Sequence, residues 1–408
     1  MLVSDLLNIS SKKFKYGLER TNKLLECCDV LGSQFFKIQI IGTNGKGTVA
    51  AFLTKALLDS GYQVGTYTSP HLLKANERIR VNGKQISDND IQKFISKHRK
   101  YINDIKPSFF EIMTVLALWF FKKKQIQIAI LETGLGGRHD SVTACNAEAL
   151  LFTSISMDHH EILGNTIKKI ALEKAQAITH KKQILISMNQ EKNVKKILIS
   201  QAKNYQNTID FLDKKQDISF RLKYLHGKHQ EQNANLAHYC LQQLKNHKII
   251  NTSHKQAQES INNTKWPGRF QIILKKPLII YDVAHNKASL DGFLQAFLSF
   301  SQTKTNERKY LICAFEHNKK IISSLQKYEN KFDQIICSET NIRKSMTTKE
   351  LSKSFKNKHK IILIQNIDNA MKYIKKNATS CDIIVIIGSH FIAPSINRNF
   401  KNCFVDNI

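Results

Sequence analysis

The sequence predicts an α/β protein built on parallel sheets, and three observations predict it. Short β-branched runs alternate with longer helical patterns, the arrangement of βαβ units. One early run passes directly into a glycine-rich turn that opens a helix. Several later runs end in acidic, histidine-bearing turns, which belong at the carboxyl ends of parallel strands, where ligands gather.

At 408 residues the chain has room for two or three domains. In the first half the candidate strands are 37–41, 63–68, 126–132, 149–156 and 183–188. A second set follows at 278–282, 310–314, 334–338, 360–364 and 382–387. Between the sets, 205–225 reads as a β-hairpin and 231–246 as a helix. The polar stretch after it ends in Trp266-Pro267-Gly268, which breaks any helix. The expected division is therefore 1–266 and 267–408.

Composition narrows the function classes. With 42% apolar and 23% charged residues, disorder over most of the length is excluded. The apolar run 114–121 is far too short to cross a bilayer. The first twenty residues lack the basic, apolar and small-residue regions of a secretory leader, in that order. Secretion and membrane insertion are both disfavoured.

The net charge is 62 − 33 = +29, which raises nucleic acid as a partner. The excess is mostly lysine spread along the chain, without a basic stripe interleaved with aromatics. A solvated lysine-rich surface, able to draw in anionic small molecules, is the expected reading. The eight cysteines form no CxxC pair, so neither a zinc site nor a disulfide framework is expected. A reducing cytoplasm fits.

The turn after the first strand is Gly42-Thr43-Asn44-Gly45-Lys46-Gly47-Thr48, with a helix expected over 49–60. Glycines let backbone N–H groups turn inward around phosphate oxygens, and the helix start adds its positive dipole end. Lys46 is placed for the β/γ-phosphates and the Thr48 hydroxyl for Mg²⁺. The segment departs from the strict GxxxxGK[ST] pattern, because Gly47 stands between the lysine and the threonine. A plain Gly-rich turn would explain the glycines, but not Lys46 and Thr48 together.

Strand 126–132 ends in Glu132 and runs into Thr133-Gly134-Leu135-Gly136-Gly137-Arg138-His139-Asp140. Asp158-His159-His160 follows the next strand, and Ser69-Pro70-His71 follows strand 63–68. Singly, such residues read as helix caps or solvated loop groups. On one sheet edge beside a phosphate loop they read as metal and substrate ligands. Later, Gly268-Arg269 and Asp282-Val283-Ala284-His285-Asn286 suggest a second domain that also contributes to a nucleotide.

Together these residues resemble the folylpolyglutamate synthase/dihydrofolate synthase family of the Mur ligase superfamily. The resemblance runs from GLER (17–20) to Gly388-Ser389. Its elements are GTNGKGT (42–48), SPHL (69–72), ERIRVNG (77–83), FFE (109–111), ETGLGGRHD (132–140), TSISMDHHEILG (153–164), EKA (173–175), GKHQEQNA (227–234), WPGRFQ (266–271) and DVAHN (282–286).

The resemblance implies a P-loop-containing Mur-ligase-like N-terminal domain and a smaller Rossmann-like C-terminal domain, with catalysis between them. It implies an ATP- and Mg²⁺-dependent ligase that phosphorylates a carboxylate of dihydropteroate or a reduced folate. The amine of L-glutamate then displaces phosphate. Lys46, His159 and Lys174 are implied as catalytic, Lys174 matching a lysine that is carbamylated in many members. Gly42 to Thr48, Asn233, Arg269, Asp282 and His285 are implied for ATP. Thr48, Ser69, Glu132 and His159 are implied for metal, and Ser69, Pro70, His71, Phe110, Arg138 and Asp140 for the folate substrate.

Three segments depart from the family. Ser141-Val142-Thr143 stands where Ala-Thr-Asn is usual, Gln176 follows EKA, and 315–319 diverges from Asp-Lys-Asp. The expected state is a monomer without nucleic-acid or membrane partners. Two other readings share the phosphate loop: a cell-wall Mur-type ligase acting on a UDP-linked substrate, and a nucleic-acid-stimulated P-loop ATPase.

Overall fold

The run Phe36–Ile41 (β1) is buried at five of its six residues, as a strand covered on both faces must be. In the computed structural model it lies inside an eight-stranded sheet with β2 (Val64–Tyr67), β3 (Ile79–Val81), β4 (Lys84–Gln85), β5 (Ile128–Glu132), β6 (Ala149–Phe152), β7 (Ile184–Ser187) and β8 (Ile209–Phe211). The order is β4-β3-β2-β5-β1-β6-β7-β8. The ladder is parallel except at β3 and β4, whose pairings are antiparallel. The structure describes residues 17–32, 35–301, 307–317, 321–340, 342, 344–401 and 403–404. Residues 1–16, which bear on the leader expectation, and Asn318 and Lys319 of the divergent segment lie outside these.

The chain forms two compact units. Of the described residues, those up to Arg221, with Gln232–Asn263, make the first, and Leu222–Glu231 with those from Thr264 onward make the second. The single expected cut between 266 and 267 therefore misses one feature. The segment Leu222–Glu231, which includes the start of the helix Lys228–Asn246, belongs with the second unit.

The second unit holds a six-stranded sheet of β9 (Gln271–Lys275), β10 (Leu278–Asp282), β11 (Lys309–Cys313), β12 (Gln334–Glu339), β13 (Ile361–Asn366) and β14 (Ile383–Ile387). Its order is β13-β12-β11-β14-β10-β9, with only β9 antiparallel. Its core packs Phe293, Phe297 and Phe332 against Ile280, Leu311, Ile335 and Val385 from the strands.

Three local expectations are corrected. The hairpin at 205–225 does not form: only Ile209–Phe211 is a strand, and it pairs in parallel with β7. The polar stretch after residue 250 contains a helix, His254–Asn262, whose N-cap Ser253 accepts the amide of Gln256. The helix after the phosphate loop spans Lys46–Asp59 and so begins three residues before the expected 49, because Gly45 in a left-handed conformation already serves as its N-cap.

The apolar helix Phe109–Lys123 is buried along most of its length. A reciprocal cap starts it, with Glu111 accepting the Ser108 amide at 2.6 Å. Glu111 also receives Arg20 Nε at 3.2 Å and the Thr21 hydroxyl at 3.3 Å. GLER and FFE are thus two halves of one clasp, across 91 residues of chain. Among the described residues no helix is long and apolar enough to cross a membrane.

Candidate active site

In the first unit β1 lies between β5 and β6, while the chain leaving β1 goes on to β2 on the far side of β5. At such a switch in strand order the loops part and leave a crevice at the carboxyl ends. The phosphate loop follows β1, Glu132 ends β5, and the 153–160 segment follows β6.

The loop is held by the segment after β6. Thr43 N donates to Ser154 O at 2.8 Å, the Thr43 hydroxyl to Ser156 O at 3.0 Å, and Ser156 N back to Thr43 Oγ1 at 3.0 Å. Asn44 Nδ2 donates to Ser156 Oγ at 3.3 Å. Two glycines are required sterically: a Cβ on Gly42 would overlap Thr153 Oγ1, and one on Gly45 (φ 89°) would overlap Asn233 Oδ1. Asn233 is buried beside the loop and braces its second glycine.

Two lysines converge on one carbonyl. Lys46 Nζ donates to Gly42 O at 3.3 Å and Thr43 O at 3.2 Å, and Lys174 Nζ donates to Gly42 O at 2.7 Å. Lys174 is buried, so its pKa falls to about 7, driven first by lost hydration and then by the charge of Lys46. Asp158 and Asp140 oppose that shift, which places both carboxylates in electrostatic range of the amine. Thr48 is buried in the first turn of the helix.

A second group forms where β2 and β5 end. Glu132 accepts the Ser69 amide at 3.0 Å. A Cβ on Gly134 would sit 3.4 Å from Asp140 Oδ2, 3.7 Å from Ser69 Oγ and 3.9 Å from Phe110 Cδ1, so these three side chains share one small space. Asp140 accepts the amides of Leu135 at 2.8 Å and Val142 at 3.0 Å. Burial pushes its carboxyl above the ordinary value, against these amides and Lys46. His71 Nδ1 accepts from Arg78 Nε at 2.9 Å, and the Ser69–Pro70 peptide is cis. Burial, then Arg78, lowers His71 to about 4. Arg138 is tied to Glu173 by its amide (3.0 Å) and its guanidinium (3.6 Å). A cleft of about 210 Å³ lies beside this loop, lined by Leu135, Gly137, His139, Leu163 and Glu173 among others.

His159 has a left-handed backbone, and its exposed ring has Nε2 3.9 Å from Asp158 Oδ2. Among the described residues no three His, Cys, Asp or Glu side chains gather as a metal cluster. Ser69 and Glu132 are thus joined directly, while His159 and Glu132 form no ready-made group with a third such ligand.

In the second unit Asp282 accepts the amides of Phe270 and Ala284, each at 2.8 Å. Burial raises its carboxyl, with Arg269 the largest opposing influence and His285 a smaller one, so these three expected residues do lie together. His285 Nδ1 sits 2.9 Å from Val283 O. Sequence reasoning gave no role to Arg78, Thr153 or Ser156. All three lie inside the quoted motifs, but their partners are distant in sequence or were not legible as pairs.

Comparison with known proteins agrees with this arrangement. The Mur ligase middle domain matches residues 40–272, and the Mur ligase glutamate ligase domain matches 268–390. The chain is 28% identical to the dihydrofolate synthase/folylpolyglutamate synthase of Bacillus subtilis, over 95% of each chain. It is 30% identical to that of Buchnera aphidicola from Acyrthosiphon pisum, over 93% of this chain and 92% of the other. Escherichia coli FolC, solved in complex with DHPP and ADP, superposes with a TM-score of 0.84 at 26% identity, covering 97% of this chain and 96% of that one. Mycobacterium tuberculosis folylpolyglutamate synthase, at 22% identity, shares the fold with a TM-score of 0.86 over 98% of each chain. The chain belongs to the dihydrofolate synthase/folylpolyglutamate synthase family of Mur ligases and is an ATP-dependent ligase.

Proposed function

We propose that this enzyme joins L-glutamate to dihydropteroate, a reduced folate, or both, in the cytoplasm and through an acyl phosphate. The observation that carries the reading is the convergence of Lys46 and Lys174 on Gly42 O, within electrostatic range of Asp140 and beside a loop locked by Thr43 and Ser156. A cationic, backbone-lined pocket of this kind suits a polyphosphate.

A carboxylate is a poor electrophile until one of its oxygens becomes part of a leaving group. The substrate carboxylate attacks the γ-phosphorus and ADP leaves. The neutral amine of glutamate then adds to the acyl carbon, and phosphate departs with the former carboxylate oxygen. Positioning and charge neutralisation dominate the first step. The loop from Gly42 to Gly47, held in shape by the bonds of Thr43 and Asn44 to the segment after β6, cradles the phosphates, and Lys46 turns from its carbonyl partners to the transferring group. Asn233, braced on Gly45, is the candidate for the adenine side. Arg269, Asp282 and His285 are the second unit's candidates for nucleotide contact.

Thr48, Ser69 and Glu132 offer hard oxygen donors, one of them a buried carboxylate, a set that fits Mg²⁺, with His159 as a further candidate. A bound Mg²⁺ supplies positive charge to the phosphoryl oxygens. Lys174, near half-neutral at physiological pH, lowers the cost of placing a second amine beside Lys46 and leaves a nucleophilic nitrogen open to carbamylation. Ser69, Pro70, His71, Phe110, Arg138 and Asp140 are the candidates for the pterin-bearing substrate.

The test is ADP release with ATP, Mg²⁺ and glutamate, comparing dihydropteroate, dihydrofolate, tetrahydrofolate and a UDP-linked cell-wall precursor. Release dependent on both glutamate and a pterin-bearing acid is expected. Release driven by the UDP-linked substrate instead would contradict the reading.

A further inference from the structure

Arg78 ends the short 3₁₀ turn Ala75–Arg78 and is only 6% exposed. A buried guanidinium is costly unless its charge and its N–H groups are answered. Nε donates to His71 Nδ1 at 2.9 Å, which leaves the His71 proton on Nε2. The guanidinium carbon lies 5.3 Å from the Phe109 ring centroid and 5.4 Å from that of Phe110. Nη1 is buried and has no hydrogen-bond partner among the described residues.

The nearby carboxylates are otherwise engaged. Glu77 takes the amides of Leu72, Leu73 and Lys74, each at 2.8 Å, and Glu132 takes that of Ser69. Among the described residues no carboxylate forms an ion pair with Arg78. Burial accordingly weakens its hold on its proton, while Tyr67 and then Glu132 act in the other direction. A strut for Phe109 and Phe110 would need neither a charge nor an unsatisfied donor, since an uncharged stem of similar length packs as well.

We propose that Arg78 is a substrate-recognition residue whose free Nη1 donates to the benzoyl oxygen of the acyl substrate. In dihydropteroate that oxygen belongs to the carboxylate that reacts. Two placements favour this end of the substrate over the pterin. Phe110 shares its space with Ser69 Oγ, and Ser69 is bonded to Glu132, so Arg78 borders the group that the proposed chemistry uses. A flat cation set against the edge-to-face pair of Phe109 and Phe110, whose centroids are 5.6 Å apart, also suits a planar aryl-carbonyl neighbour. The inference rests on the proposed function and deepens it.

The test is equilibrium binding of dihydropteroate and, separately, of ADP to the full-length enzyme. Wild type is compared with Arg78→Gln and Arg78→Lys, and unfolding midpoints are recorded for each. Arg78→Gln keeps an amide donor for His71 and is expected to weaken dihydropteroate about 10- to 100-fold, the scale of a hydrogen bond to a charged group. ADP affinity should stay within about twofold on the same scale. Arg78→Lys should recover part of the loss, restoring charge without the planar fork, and it carries the test if the Gln variant does not fold. Unchanged dihydropteroate affinity in both folded variants overturns the inference. Parallel loss of dihydropteroate and ADP with a fallen midpoint also overturns it, in favour of a strut. A wild-type enzyme that binds no dihydropteroate overturns the proposed function along with it, an outcome distinct from a variant that binds as well as wild type.

Discussion

Two turns in this molecule begin alike and end differently. Each follows an internal strand of a largely parallel sheet, β1 in the first unit and β10 in the second, and each opens a 14-residue helix. After β10, Asn286 caps the helix by accepting the Ser289 amide at 2.9 Å, and Asp282 takes two further amides. After β1, the N-cap is Gly45 in a left-handed conformation, and no side chain caps the helix. Helix-start amides need acceptors. The second turn supplies its own from side chains, while the first, in the proposed function, leaves them to a phosphate beside Lys46. One turn spends Asn286 and Asp282 on backbone amides, and the other leaves its helix start without a side-chain cap.

The largest expected effect comes from removing the cation of the open turn. Lys46→Ala should lower kcat roughly 100- to 1000-fold while leaving the melting temperature close to wild type. Wild-type kcat in this variant would take the loop out of the chemistry. Lys174→Met should cost activity about 100-fold or more, on the same scale, yet should not lower stability at neutral pH, because a poorly hydrated amine is exchanged for an apolar stem. Burial lowers the Lys174 pKa from 10.5 to about 7. Between those values the unfolded chain binds more protons, so wild-type stability gains with rising pH in that window. The Met variant lacks this gain. Parallel stability–pH curves for the two proteins would show that Lys174 does not titrate as its burial requires.

Next in size are Glu132→Ala and His159→Ala, each expected to raise the Mg²⁺ needed for half-maximal activity by about tenfold or more. The structure joins Glu132 to Ser69 but leaves the His159 ring beside Asp158. A shift for Glu132 alone would demote His159 to a loop residue. Gly45→Ala tests the open turn directly. Left-handed backbone costs a non-glycine residue about 1–2 kcal/mol, and the new methyl meets Asn233. ATP affinity should fall about tenfold on that scale, and an affinity equal to wild type would contradict the need for glycine there. The smallest effect belongs to the closed turn. Asn286→Ala should cost about 1 kcal/mol of stability with ATP affinity unchanged, and a large loss of ATP affinity would erase the contrast between the turns.

What was readable in the sequence follows the range of the interactions. The β1–Gly42 junction and the strands ending in Glu132 and Asp282 are visible because strand patterning and turn residues are local. The helix His254–Asn262 was also within reach, since Ser253 with Gln256 three residues on is a capping pattern, but its polar composition masked it. The absent hairpin near 209 shows the reverse failure: Ile209–Phe211 finds its partner in β7, not in its own neighbourhood. The site divides along the same line. Lys46, Thr48 and Glu132 carry their meaning in adjacent residues. The Arg20–Glu111 clasp and the Lys174–Gly42 bond span 91 and 132 residues, and no local pattern announces them.

The account stands on transfer of a phosphoryl group from the open turn to a substrate carboxylate, and an oxygen label follows that step. Dihydropteroate with ¹⁸O in its carboxylate is incubated with ATP, Mg²⁺ and glutamate, and the released phosphate is analysed by mass. The account predicts one ¹⁸O atom in each phosphate, because the carboxylate oxygen that attacked phosphorus leaves with it. Phosphate free of label, or release of AMP and pyrophosphate, would contradict it.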